Sequence, residues 1–353
     1  MSRWSLLRPR KVLVRALNSR PLLDGVDTIL ADLDGVIYKG AGAIPFAVDA
    51  LNAAIADGIR VGYITNNASR TDVAVAEHLA GLGLTVEPED VVTSPQAAVR
   101  LLADQVPAGS TILVVGGDGL TTEVERGGFV VTRSALDNPA AVIQGFAPEV
   151  GWTHLAEAAF ALHSEPGKAG IPWVATNTDW TIPVARGTAP GNGTLVSAVH
   201  TAVGRLPLVA GKPEVAMFTL AVDRFGATKP VVIGDRLDTD ILGANRAGID
   251  SILVLTGIDR AKQVLAAEKD QRPDFIIDDL RQLAEPYPAT LTETAADGTV
   301  VTTVGSATVS RSGERLTVVE AGTPIDRLRA GAAAIYESGL AIYGLRVPEE
   351  LYS

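Results

Sequence analysis

Two acids stand two residues apart at Asp32-Leu33-Asp34-Gly35. On an extended chain, side chains at i and i+2 share a face, and Gly35 lets the backbone turn tightly behind them. Carboxylates so placed suit a hard cation, and Mg2+ needs few protein ligands because it keeps its waters. A second acidic run, Gly234-Asp235-Arg236-Leu237-Asp238-Thr239-Asp240, offers Asp235 to complete such a site with Asp32. Asp238 and Asp240 fall in the first turn of an expected helix, where negative charge is favourable; ordinary N-terminal capping accounts for those two equally well. Thr65-Asn66-Asn67 supplies a hydroxyl and backbone N–H groups beside a helix N-terminus, which is either a seat for an anion or an Asn-rich turn with a cap. Lys212, in Gly211-Lys212-Pro213, precedes a helix with Pro213 expected at its first position; a lone lysine is ordinarily solvated.

Together these groups make a phosphoryl-transfer centre. Asp32 attacks phosphorus as a carboxylate nucleophile. Mg2+ on Asp32, Asp235 and the main-chain carbonyl of Asp34 offsets the repulsion between two anions. Thr65 and Lys212 hold the phosphoryl oxygens. The Asp34 side chain protonates the leaving oxygen and then deprotonates the water that completes the reaction.

The elements that must position these residues are legible as alternating patterns. Apolar runs at 28–31, 59–64 and 230–233 read as buried strands, and each ends at one of the motifs. Helical spacing at 47–56, 71–82, 214–224 and 241–247 fills the intervals. Such alternation implies a doubly wound parallel sheet, in which ligands bind beyond the carboxyl ends of the strands. Asp32, Thr65, Lys212 and Asp235 all lie just past such ends. A middle stretch carries its own strands at 111–115, 141–145 and 172–175 and a helix at 152–162. The tail carries strands at 299–304, 307–310 and 316–319 and a helix at 324–338.

Composition sets the limits. The chain has 353 residues, 47% of them apolar and 5% aromatic, enough for two or three domains. Without cysteine and with four scattered histidines, thiolate chemistry, disulfides and His-rich metal sites are excluded. A net charge of −11 argues against nucleic acid as a partner. No stretch approaches the roughly 18 apolar residues of a membrane span. Residues 1–23 carry six basic residues and no acid and read as a basic, flexible extension, with an organelle transit segment as the alternative.

The four motifs, in this order, resemble those of haloacid dehalogenase superfamily phosphatases, specifically the NagD-like branch, over about residues 24–284. The resemblance implies an α/β fold: a Rossmann-like core at 24–92 and 206–284 and an inserted α/β cap of the C2 type at 93–205; the strand and helix patterns of the tail read as a small α+β appendage at 290–353. The resemblance also implies Asp32 and Asp34 as the catalytic pair, Thr65, Asn66, Asn67 and Lys212 as phosphate-binding, Asp32, Asp34 and Asp235 around Mg2+, and Asp240 orienting Lys212 or metal-bound water. Asn177-Thr178-Asp179 and Pro190-Gly191-Asn192-Gly193 resemble the cap loops that face the catalytic centre, so Asn177, Asp179 and Asn192 are expected near substrate. Within that branch the chain resembles the actinobacterial glycerol 3-phosphate phosphatases, which carry a similar C-terminal extension. The implied reaction is hydrolysis of glycerol 3-phosphate, with phosphoglycolate, pyridoxal phosphate and sugar or nucleotide monophosphates as alternatives, in the cytoplasm, and with the cap or appendage available for a homodimer.

Gly116-Gly117-Asp118-Gly119 lacks the Gly-x-Gly-x-x-Gly spacing of a dinucleotide loop. A receiver-type signalling module shares the acidic pair, Thr and Lys, but has no insertion of this length between them. The remaining alternatives are a non-catalytic binding protein on the same scaffold and a phosphotransferase.

Overall fold

A computed structural model describes residues 20–164, 170–184 and 186–353; all but the last four residues of the basic N-terminal extension lie outside them. Six parallel strands form the first sheet, in the order Phe275–Ile277, Asp250–Val254, Pro230–Gly234, Thr28–Ala31, Arg60–Thr65 and Val91–Thr93. Thr28–Ala31 lies at its centre and is buried throughout. Its side chains alternate between the faces: Ile29 and Ala31 join one apolar cluster, and Leu30 the other. Strand order reverses beside this strand, the position at which doubly wound sheets bind ligands.

A second parallel sheet of five strands runs Leu208–Val209, Trp173–Ala175, Ala141–Gln144, Thr111–Val115 and Val130–Thr132. The strand at 208–209, expected in the core, pairs instead with Trp173–Ala175, because the chain completes the second sheet before returning to the first. One apolar cluster joins the sheets, holding Leu30, Ile64 and Val232 of the first together with Ile112, Val114 and Ile143 of the second.

The tail is a four-stranded antiparallel meander, Thr290–Thr294 to Arg315–Glu320, covered by helix Pro324–Ser338. Thr323 caps that helix by accepting the Asp326 N–H. The apolar side of the appendage merges with Leu253, Val264 and Ile276 of the first sheet and its helices in a single cluster. The expected α/β architecture, with an inserted α/β unit and an α+β appendage, is therefore the one the chain adopts.

Two local expectations need correction, and one discounted motif finds its place. The helix after Lys212 spans Val215–Phe225 with Glu214 as its cap, so Pro213 stands before the helix and not at its first position. Asp238 and Asp240 lie in a wide turn, Leu237–Ile241, in which the Ile241 N–H reaches back to the Arg236 carbonyl, ahead of helix Leu242–Ala247. Gly116-Gly117-Asp118-Gly119 opens helix Asp118–Arg126, and Gly119 lies against the Ala68 and Arg70 carbonyls. That glycine serves close packing between the two sheets' loops.

Candidate active site

The four motifs converge at the carboxyl ends of the central strands. Lys212, 3% exposed, lies between two acids. Its Nζ is 2.5 Å from Asp32 Oδ1 and 2.7 Å from Asp240 Oδ1. Burial works against the ammonium, but Asp240 and Asp32 outweigh it and hold the Lys212 pKa above its ordinary value. Asp240 is fixed in turn, its Oδ2 accepting the Arg236 N–H at 3.2 Å.

Asp235 is almost wholly buried. Its Oδ2 accepts the Ile258 N–H at 2.7 Å, whereas Oδ1 is buried with no protein partner. Burial first, and Asp240 second, push its pKa up to about 7. Burial likewise raises Asp32; Lys212 opposes the shift, while Asp240 and Asp235 add to it. One oxygen from each of Asp32, Asp235 and Asp240 lies within 4.8 Å of the others. The set is all oxygen, carries excess negative charge and keeps an unpartnered carboxylate oxygen, so the residues fit a hard divalent cation such as Mg2+. Asp240 joins this group in addition to its expected pairing with Lys212. The Asp34 side chain lies outside it, in keeping with an expected contribution through its main chain.

Two glycines make the crowding around Asp235 tolerable. A Cβ on Gly35 or Gly257 would collide with the Asp235 carboxylate, and Gly35 also holds a φ of +85°. Asp34 is exposed, yet the protein around its carboxyl raises its pKa against the pull of Lys212, Arg70 and His78. A raised carboxyl favours its protonated form, which suits a group that must give a proton to a leaving oxygen.

Thr65 ends its strand and is 4% exposed. Its Oγ1 accepts the Asn67 N–H at 3.1 Å, leaving the hydroxyl proton to donate. The Asn67 Oδ1 closes a turn by accepting the Ser69 N–H and hydroxyl, each at 2.9 Å, so its side chain shapes the loop. The side chain of Asn66 is likewise engaged, with Asp179 and the Lys212 backbone. Asn177 reaches the same loop, donating to the Asn66 carbonyl at 2.7 Å. Asn192, expected near substrate, sits one layer back: its Nδ2 donates to the Asn177 carbonyl at 2.7 Å. Gly191 and Gly193 pack on the Asp179 and Thr178 carbonyls.

Residues not anticipated from the sequence brace the acidic loop. Asp259 Oδ2 accepts the Leu237 N–H at 2.7 Å, and Thr256 donates to the Gly35 carbonyl at 2.6 Å. Both follow the end of strand Asp250–Val254, so the strand-end rule that located the motifs could have located them.

A buried lysine held between aspartates at the mouth of a doubly wound sheet defines an aspartate-based α/β hydrolase. The haloacid dehalogenase-like hydrolase model matches residues 29–130, and a HAD-hydrolase-like model matches residues 209–283. The D-glycerol 3-phosphate phosphatase of Mycobacterium tuberculosis is 42% identical over 317 residues, covering 89% of this chain and 87% of that protein. An acid sugar phosphatase of Staphylococcus haemolyticus is 32% identical over 253 residues, covering 71% and 92%. The crystal structure of the Mycobacterium tuberculosis glycerol phosphate phosphatase in complex with magnesium aligns with a TM-score of 0.80 at 40% identity, covering 91% of this chain and 94% of that one. The chain belongs to the haloacid dehalogenase-like hydrolase family.

Proposed function

We propose that this hydrolase is a Mg2+-dependent phosphomonoesterase that works through an aspartyl phosphate on Asp32, with glycerol 3-phosphate as its foremost substrate. The observation that carries the reaction is the ion triad in which Lys212 Nζ meets Asp32 and Asp240 at 2.5 and 2.7 Å. Similarity over most of both chains to the mycobacterial glycerol 3-phosphate phosphatase supports the substrate.

Asp32 attacks phosphorus; a P–O bond to Asp32 forms as the ester P–O bond breaks. Asp34 gives its proton to the departing alkoxide. Asp34, now a carboxylate, takes a proton from water, which attacks the same phosphorus, expels the Asp32 carboxylate and leaves inorganic phosphate. Lys212 and the Thr65 hydroxyl hold the phosphoryl oxygens as charge builds on them. Asp32 and Asp235, with the Asp34 carbonyl and Asp240 at hand, would hold Mg2+. When bound, that ion offsets the charge of the gathered carboxylates and polarises the phosphoryl group.

The interval 93–205, extended to the strand at 208–209, serves as the cap that closes over the site, and 290–353 as an appendage fused to the core. A small cytoplasmic metabolite is the proposed substrate class, and a homodimer through the cap or appendage is testable by light scattering. Among the described residues no helix is long and apolar enough to cross a membrane. Phosphate release should vanish in Asp32→Asn while the thermal transition survives; activity near wild type would refute the nucleophile. Ranking kcat/KM for glycerol 3-phosphate, phosphoglycolate, pyridoxal phosphate and sugar phosphates tests the substrate, and a sugar phosphate at the head would shift the assignment.

A further inference from the structure

Asn66 joins three stretches that the chain keeps far apart. Its Nδ2 donates to both carboxylate oxygens of Asp179 at 3.2 Å and to the Lys212 carbonyl at 3.1 Å. Its Oδ1 accepts the Lys212 N–H at 2.8 Å. Its own carbonyl accepts the Asn177 amide and the Ser94 hydroxyl, each at 2.7 Å. The side chain therefore clamps the peptide groups on both sides of the Lys212 Cα, and the Nζ of that lysine meets Asp32. Gly211 permits the approach, since a Cβ there would press on Asn66 Oδ1 and the Thr176 carbonyl.

An amide offers two N–H donors. One is shared by the Asp179 oxygens and the other is taken by Lys212, so neither remains for a phosphate. An amide also has nearly the same shape when rotated by half a turn. In the rotated state the amide oxygen would face both the Lys212 carbonyl and the Asp179 carboxylate, which only accept. Asp179, carried on the loop after strand Trp173–Ala175 of the inserted sheet, thus supports the orientation that seats Lys212.

We infer that Asn66 is a positioning residue, and that Asp179 acts through it, so that the placement of Lys212 against Asp32 depends on the cap loop being seated on the core. The inference rests on the phosphatase reading and deepens it. Asp179 then matters equally for every ester the enzyme cleaves, because its role is exercised on the protein and not on the leaving group. A carbonyl oxygen at position 179 would serve the Asn66 amide nearly as well as a carboxylate.

The experiment compares wild type with Asn66→Ala, Asp179→Ala, Asp179→Asn and the double variant Asn66→Ala/Asp179→Ala. Each is assayed on glycerol 3-phosphate and on p-nitrophenyl phosphate, whose leaving group carries no hydroxyls. Each single alanine variant should lose about 10- to 100-fold in kcat, the range typical of groups that orient an active residue, with KM changed less than about threefold. The loss should be alike on both esters. The double variant should be no worse than the poorer single one, because both cut the same chain of contacts. Asp179→Asn should recover activity to within about threefold of wild type. Losses that add, a loss confined to glycerol 3-phosphate, or Asp179→Asn as impaired as Asp179→Ala would each overturn the inference and assign Asp179 to the substrate. If Asn66→Ala does not fold, the two Asp179 variants decide by the same criteria. Failure of the phosphatase reading looks different: wild type itself would then release no phosphate from either ester with Mg2+.

Discussion

At the scale of single residues, the site brings three carboxylates together around one lysine, and the charge left over sets a pH dependence. Asp235 keeps its proton up to about pH 7 in the folded chain, against an ordinary value of 3.8. Between those values the folded chain binds more protons than the unfolded one, so this group makes stability fall as pH rises through them. Asp32 shifts in the same direction. In EDTA, the midpoint of thermal unfolding should therefore drop between about pH 4 and pH 7. Saturating Mg2+ should raise the midpoint more at the higher pH, where the carboxylates it binds have lost their protons. Calorimetry across that range checks both statements, and a midpoint that rises with pH in EDTA would contradict them. Asp32, Asp34 and Lys212 were readable as chemistry because each occupies a strand-end motif. Asn66 was readable only as a phosphate-loop residue, since nothing near it in the chain reveals that Asp179 and Lys212 consume its amide.

At the scale of elements, strands deliver the acids and glycines make room for them. Gly257 follows strand Asp250–Val254, and its missing side chain is the space filled by the Asp235 carboxylate. Gly257→Ala should displace that carboxylate while leaving the sheet in place. The Mg2+ concentration for half-maximal activity should rise about tenfold or more, with an unchanged far-ultraviolet circular dichroism spectrum; a metal titration of activity reads the effect. Alternation of strand and helix identified the doubly wound core, because buried parallel strands are nearly continuous apolar runs. The same rule misplaced 208–209: a two-residue strand carries too little pattern to say which sheet it joins, and hydrogen bonding to Trp173–Ala175 decided it.

At the scale of the whole molecule, the appendage acts as an edge cover. Strand Phe275–Ile277 is the outer strand of the first sheet, and edge strands expose unpaired backbone groups. Here Tyr287 receives the Ile276 N–H at 3.1 Å, and Arg329 donates through Nε to the Ile276 carbonyl at 2.8 Å. The Arg329 guanidinium also lies 4.4 Å from the centre of the Tyr287 ring. Arg329 is 6% exposed, so its loss leaves a buried carbonyl unpaired. Hydrogen bonds to charged groups contribute about 1.5–3 kcal/mol. Arg329→Ala should therefore lower the unfolding midpoint by several degrees without changing KM for substrate. An unaltered midpoint would show that the appendage is not held through this contact.

What the sequence by itself determined is the chemistry and its scaffold. In a parallel sheet, functional residues gather at the ends of consecutive strands, so each motif is local and its order along the chain survives folding. The tertiary structure alone decided the partners: Lys212 with Asp32 across 180 residues and Asn66 with Asp179 across 113. It also decided that Asp240 faces both the lysine and the carboxylates of Asp32 and Asp235. Those choices depend on strand order and on how the inserted sheet docks, and contacts between distant segments leave no periodicity or spacing in the chain that makes them.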